Sequence, residues 1–140
     1  MQTLQDGDIV VVALEPGEEI VESLAEVADK YKIGGGQISG LGSVSEAEIA
    51  FFDPAKKEYI PRMFTEPMEI GNLVGNISKL DGNRHIHCHI TIAGPELIGF
   101  TGHLNRAVVG TAAEIYIRRL SQTVLRVKDA DGGFNPLHLT

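Results

Sequence analysis

Three histidines at alternate positions, His85, His87 and His89, are the residues of this chain best suited to chemistry. On a strand, a period of two puts the three imidazoles on one face and Ile86, Cys88 and Ile90 on the other. A neutral imidazole ligates metals near neutral pH, and two of them at i and i+2 can converge on one small cation. Strand rise limits the set. At roughly 3.3 Å per residue, His85 and His89 stand about 13 Å apart at their backbones, too far to share an ion bound at about 2.1 Å. Two neighbours therefore take the ion, and a third ligand must come from elsewhere. The next histidine is His103, and Gly94-Pro95 and Gly99 are breakers that can turn the chain back to set it alongside. Such a site leaves a position open for water, a ligand or a group from a second subunit. The competing reading is a solvated or interface face that is merely rich in histidine.

The histidine run needs a partner strand, and the sequence supplies one. Residues 68–80 read as a long strand with Gly71 and Gly75 as bulge sites, and Asp81-Gly82-Asn83 is a hairpin turn, so residues 70–79 should pair with the histidine strand. Residues 8–14 form a buried strand of branched side chains. From residue 18 to about 32, Ile20, Val21, Leu24, Ala25, Val27, Ala28 and Tyr31 recur at helical spacing, and Gly34-Gly35-Gly36 ends the helix. That glycine run follows its helix, whereas a phosphate loop precedes one, so it reads as a stop and a close backbone approach. Residues 37–44 continue as an irregular glycine-rich strand. Residues 45–52, a turn at 53–58 and Tyr59-Ile60 make a second hairpin. Residues 107–120 read as a turn or short helix and then a strand, residues 123–127 as a last strand, and Asp131-Gly132-Gly133 opens a tail that contains Pro136 and His138. The expected fold is α+β: a largely antiparallel sheet packed against one main N-terminal helix, with short helical segments.

Composition bounds the function. At 140 residues, 43% of them hydrophobic, residues 1–140 fit a single domain able to bury a core. No run approaches the roughly 20 apolar residues of a membrane span, and the N-terminus lacks the basic-then-apolar order of a signal peptide, so a soluble cytoplasmic protein is expected. The single Cys88 cannot form an internal disulfide; it lies on the strand face opposite the histidines and reads as a small buried hydrophobe. A net charge of −7, from 19 acidic and 12 basic residues, repels phosphate backbones. Lys56-Lys57, Arg118-Arg119 and the pair Arg126 and Lys128 are short basic groups that read as solvated surface charge.

Taken in order, Ile38-Ser39-Gly40-Leu41-Gly42-Ser43, Gly75-Asn76-Ile77-Ser78 through Asp81-Gly82, His87-Cys88-His89, Gly102-His103-Leu104 and Thr111-Ala112-Ala113-Glu114 closely resemble the plants and prokaryotes conserved (PPC) domain family. The resemblance covers nearly all of the chain. It implies α+β domains that assemble as homotrimers, and metal-binding histidines that fall here on His87, His89 and His103, with zinc or another divalent transition metal as the cofactor. His85 stands where the family often has an apolar or aromatic residue, which makes it the weakest of the four as a ligand. Thr101 replaces the first glycine of the family's Gly-Gly-His-Leu. The family's DNA-binding label rests largely on plant members that join the domain to an Arg-Gly-Arg-Pro hook for AT-rich minor grooves; this sequence has no such hook.

Three functions follow as expectations. The first is a zinc-binding homotrimeric module that recognises a ligand or protein partner. The second is a small zinc enzyme in which Glu114 serves as general base, against the plainer reading of Glu114 as a supporting or subunit contact. The third is a DNA-binding regulator, despite the acidic charge.

Overall fold

The computed structural model describes residues 1–129 and 133–139; the turn read at Asp131-Gly132 lies outside them. The chain opens with an antiparallel pair, β1 (Gln2–Asp6) and β2 (Ile9–Leu14), followed by helix α1 (Ile20–Lys30). The long strand β3 (Gly36–Asp53) turns into β4 (Glu58–Phe64), and β5 (Met68–Leu80) turns into β6 (Asn83–Ala93). Then come β7 (Gly99–Arg119) and two short strands, β8 (Leu125–Arg126) and β9 (Leu137–His138).

Four strands close on themselves. β7 pairs with β3, β3 with β5, β5 with β6, and β6 with the start of β7, every pairing antiparallel. The ring closes only where residues 89–93 of β6 meet residues 99–103 of β7; residues 83–88 of β6 pair with β5 alone, which leaves the edge that carries His85 and His87 open to the cavity side. Closure needs bends, and β3 supplies them through register shifts between Gly40 and Gly42 and again before Val44, Glu46 and Ile49. The expected bulge at Gly71 is present as a shift between Ile70 and Asn72. At the β5–β6 turn both Asp81 and Gly82 have positive φ, as a two-residue hairpin demands, and residues 69–80 pair with 83–93 in the expected register.

Helix α1 exists because one of its faces is apolar. Ile20, Leu24, Val27 and Ala28 are buried there, while Glu22 and Lys30 sit in its first and last turns, where the helix dipole favours them. Glu19 caps the N-terminus: its carboxylate accepts from the backbone N–H of Glu22 at 2.6 Å and of Ala107 at 2.8 Å, tying the helix to β7. The stop comes two residues before the glycine run. Lys32 turns left-handed at φ 53° and donates to Asp29, and Ile33 donates to Ala28, so the last carbonyls are satisfied there. Gly34 and Gly35 serve the close approach: a Cβ on them would stand 2.4 Å from Thr123 Oγ1 and 2.5 Å from the Gln122 carbonyl. Truncating Leu24, fully buried, to alanine would cost about 2–5 kcal/mol.

The α+β expectation is corrected. Of the described residues 63% are strand and 8% helix, with α1 as the one helix among them. The short helical segments do not form. Residues 107–120, read as a turn or short helix and then a strand, lie almost wholly within β7: the strand half is as read, and the expected turn or helix is strand as well, with β3 pairing at residues 107–109 and 113–119 and β2 at residues 113–118. Thr111 and Ala112 sit at a register shift between ladder pairs at Val109 and Ala113, and the Thr111 N–H donates to Ser43 Oγ, so the ladders on either side carry this stretch along as strand. The last strand is also shorter than read, only Leu125–Arg126 in parallel with Lys79-Leu80.

Candidate metal centre and its cavity

Register brings the histidines together. His89 of β6 lies directly opposite His103 of β7, and His103 is paired on its other side with Ala50 of β3. His87 is two residues along the same face of β6 from His89, so its ring reaches the pair from one side. One ring nitrogen from each of His87, His89 and His103 lies within 4.8 Å of the other two. The His87 and His103 ring centroids are 5.1 Å apart. His85 stands further off, its ring centroid 6.4 Å from that of His87, and it is outside this cluster. The alternation read from the sequence holds: Cys88 and Ile90 are buried at 2% and 1% exposure on the opposite face.

Tight backbone packing holds the two strands. A Cβ on Gly75, opposite Cys88, would stand 2.4 Å from the His87 carbonyl oxygen and 2.6 Å from Cys88 Sγ. A Cβ on Gly102, beside His103, would stand 2.7 Å from the Ala50 carbonyl. Glycine at both positions lets the ring close under the histidines.

Three of the four rings, those of His85, His87 and His103, are held toward the neutral form. Burial, and then the neighbouring His103 and Arg126, pull His87 down to about 4. Burial also lowers His103, with His89 and His85 adding to it, and lowers His85. Neutral imidazoles keep a lone pair for a metal. Nδ1 of His103 is buried without a hydrogen-bond partner among the described residues, a cost that a coordinate bond or a bound group would relieve. A tetrahedral zinc with bonds of about 2.1 Å spaces its ligands about 3.4 Å apart, so small ring rotations suffice to close this set. The three histidines fit a metal of the zinc type, which would supply Lewis acidity and an exchangeable position.

Above the histidines is a cavity of about 560 Å³, floored by His85, His87, His89 and His103. One wall is the β3–β4 hairpin. Tyr59 stacks on His103 at 4.7 Å between centroids, and Phe52 packs on Tyr59 at 5.1 Å. The other wall is the C-terminal segment, where Phe134 meets Phe52 edge-on at 5.9 Å. Arg126 of β8 stands at the side, and its placement corrects the reading of it as solvated surface charge. The guanidinium is half-buried and donates to Ser78 Oγ at 2.8 Å, Asn76 Oδ1 at 2.9 Å, the Asn135 carbonyl at 2.5 Å and Nδ1 of His87 at 3.1 Å. Burial also lowers its pKa.

Sequence reasoning missed Arg126, Tyr59, Phe52 and Phe134 because they come from segments remote from the histidines. One signal was available: Asn76 and Ser78 are polar residues on the β5 face that lies beside the histidine face of β6, and both hold Arg126. Glu114 is not brought to the histidines of its own chain. It is exposed, paired with Leu41 and Ala13, and roughly 35 Å along β7 from His103 at the usual strand rise.

A model of the Plants and Prokaryotes Conserved (PCC) domain matches residues 1–121. Among solved structures, a candidate DNA-binding protein from Bacteroides thetaiotaomicron is 31% identical, with TM-score 0.94 over 98% of this chain and 96% of that one. A metal-containing protein from Archaeoglobus fulgidus is 29% identical, with TM-score 0.88 over 96% of each chain. A plant- and prokaryote-conserved protein from Pyrococcus horikoshii is 26% identical, with TM-score 0.86 over 96% of this chain and 93% of that one. No curated protein matches the chain. Among the described residues, no helix is long and apolar enough to cross a membrane.

Proposed function

This chain belongs to the Plants and Prokaryotes Conserved domain family, and on that premise we propose that it is a zinc-binding, homotrimeric module whose metal centre recognises a small ligand or a partner. The observation that carries the proposal is the convergence of His87, His89 and His103 from two adjacent strands onto one small volume. The metal-containing relative from Archaeoglobus fulgidus, similar over 96% of each chain, supports it. Support for self-assembly comes from an outer row across the sheet: Val74, Ser39, Tyr116, Val11 and Leu4 are register neighbours, with Val74 44%, Tyr116 51% and Leu4 65% exposed. Purified protein supplemented with zinc should carry about one ion per chain by elemental analysis. Protein that stays metal-free after supplementation would overturn the proposal.

A second reading, a small zinc enzyme, is favoured by the cavity that opens directly over the histidines. Turnover in a panel of hydrolytic substrates that is lost on chelation would select it. The DNA-binding reading draws on the description of the Bacteroides thetaiotaomicron relative, against a net charge of −7. Salt-sensitive binding of AT-rich duplex by the isolated chain would select that one.

A further inference from the structure

The cavity's lining is unlike the rest of the molecule. The chain carries a net charge of −7, yet among the described residues the lining holds no carboxylate, only four histidines and Arg126 as titratable groups besides Tyr59. Arg126 is half-buried there, and the four acceptors of its hydrogen bonds are all uncharged. A fixed cation at a partly desolvated site without an opposing charge attracts an anion. With a divalent metal on the histidines, the attraction is stronger.

Donor counting narrows the anion. A guanidinium has five N–H groups, of which Ser78, Asn135 and Asn76 take one each. His87 takes a fourth only while its Nδ1 is an acceptor, so metal on His87 leaves one N–H free on each of Nη1 and Nη2. Those two N–H groups beside an open metal position suit the two oxygens of a carboxylate. The remaining walls are aromatic. Tyr59, Phe52 and Phe134 form a continuous series of tilted and edge-on ring contacts that starts at His103. A volume of about 560 Å³ holds a ligand body the size of one or two rings.

We propose that this cavity binds a small monocarboxylate with an aromatic or bulky apolar body, its carboxylate toward Arg126 and the histidines and its body against Phe52, Tyr59 and Phe134. The proposal deepens the metal-binding reading and rests on it for one of the two charges. Arg126 belongs to the site as a positioning and charge-bearing residue, and β8 and β9 exist in part to present it.

Calorimetric titration with benzoate, acetate and benzyl alcohol tests the idea on zinc-loaded and on metal-free protein, with metal content read separately by elemental analysis. Benzoate should bind the zinc-loaded protein about tenfold or more tightly than acetate, which lacks the body, and than benzyl alcohol, which lacks the charge. R126M should weaken benzoate about tenfold while leaving benzyl alcohol unchanged, and F134A, altering an exposed ring, should weaken benzoate several-fold and keep the fold by circular dichroism. Equal affinity for benzoate and benzyl alcohol, or benzoate binding indifferent to both substitutions, overturns the proposal. The two readings fail separately. Protein that takes up zinc but shows no preference for benzoate keeps the metal centre and loses the carboxylate site. Protein that takes up no zinc but binds benzoate through Arg126 does the reverse.

Discussion

Nη2 of Arg126 lies 3.1 Å from Nδ1 of His87. Arginine only donates, so Nδ1 of His87 accepts, and a neutral ring then carries its proton on Nε2. Either nitrogen is thereby hindered as a ligand: Nδ1 by the guanidinium itself, Nε2 by the proton. Replacing Arg126 with methionine, which keeps much of the apolar stem, frees the ring and removes a cation beside the metal position. Zinc affinity of R126M, measured by competition with a chromogenic chelator, should therefore rise. The like-charge relief is roughly 1–2 kcal/mol, or roughly tenfold. Weaker zinc binding in a folded R126M would show that Arg126 supports the metal instead of opposing it.

The ligand set has its own test. His87→Ala should remove most bound metal, because it takes one of three clustered nitrogens, while His85→Ala should retain it, because its ring stands 6.4 Å from His87 and outside the cluster. Metal-to-protein ratios after gel filtration decide between them. Equal loss from both variants would mean that the site is displaced along β6.

How much of this was legible in the sequence follows from the range of the forces involved. The histidine face, the Asp81-Gly82 turn, the pairing of β5 with β6 and the return of His103 beside His89 are consequences of local periodicity and turn chemistry, and they were readable. The extension of β7 through residues 107–113 was not, because a short alanine- and threonine-containing stretch takes its conformation from the β3 ladder that it joins at both ends, at residues 107–109 and at Ala113. Arg126 was misread for the same reason. Nothing next to it in sequence says that Asn76 and Ser78, some fifty residues earlier, wait to receive its guanidinium.

Packing under the histidines predicts a contrast between two glycines of β5. Gly75→Ala would drive a methyl group to 2.4 Å from the His87 carbonyl, so β6 must shift, at a cost of about 2–3 kcal/mol in urea midpoint measurements and with loss of metal. Gly71→Ala meets only the Thr91 carbonyl at 4.0 Å and should be close to neutral. Comparable losses in the two variants would show that the effect is one of strand propensity and not of close approach.

Self-assembly should follow the exposed row that runs through Tyr116. Light scattering on the wild type should give three times 15.1 kDa. Tyr116→Lys places a charge among Val74, Val11 and Leu4, and it should shift the mass toward one chain without unfolding the ring, since the residue is 51% exposed. A trimer untouched by this substitution would place the subunit contacts on another face.

Cys88 supplies the pH dependence. Burial pushes its thiol from 9.0 up to about 12, with the charge of Glu19 adding to the shift. Because the folded state holds this proton more tightly than the unfolded chain, the thiol's contribution to stability is complete below pH 9 and is lost as pH rises toward 12. Between those limits the loss should be about 1 kcal/mol per pH unit. Cys88→Ala removes the titrating group while leaving Glu19 and the histidines in place, so the stability difference between the two proteins isolates the thiol. Urea midpoints at pH 8, 9, 10 and 11 should show the wild type falling relative to Cys88→Ala only above pH 9. The same burial should keep the thiol unreactive toward a disulfide reagent at pH 8 until denaturant is added. Parallel stability curves, or rapid labelling of the folded protein, would place Cys88 in contact with solvent and would open the β5–β6 packing that carries the histidines.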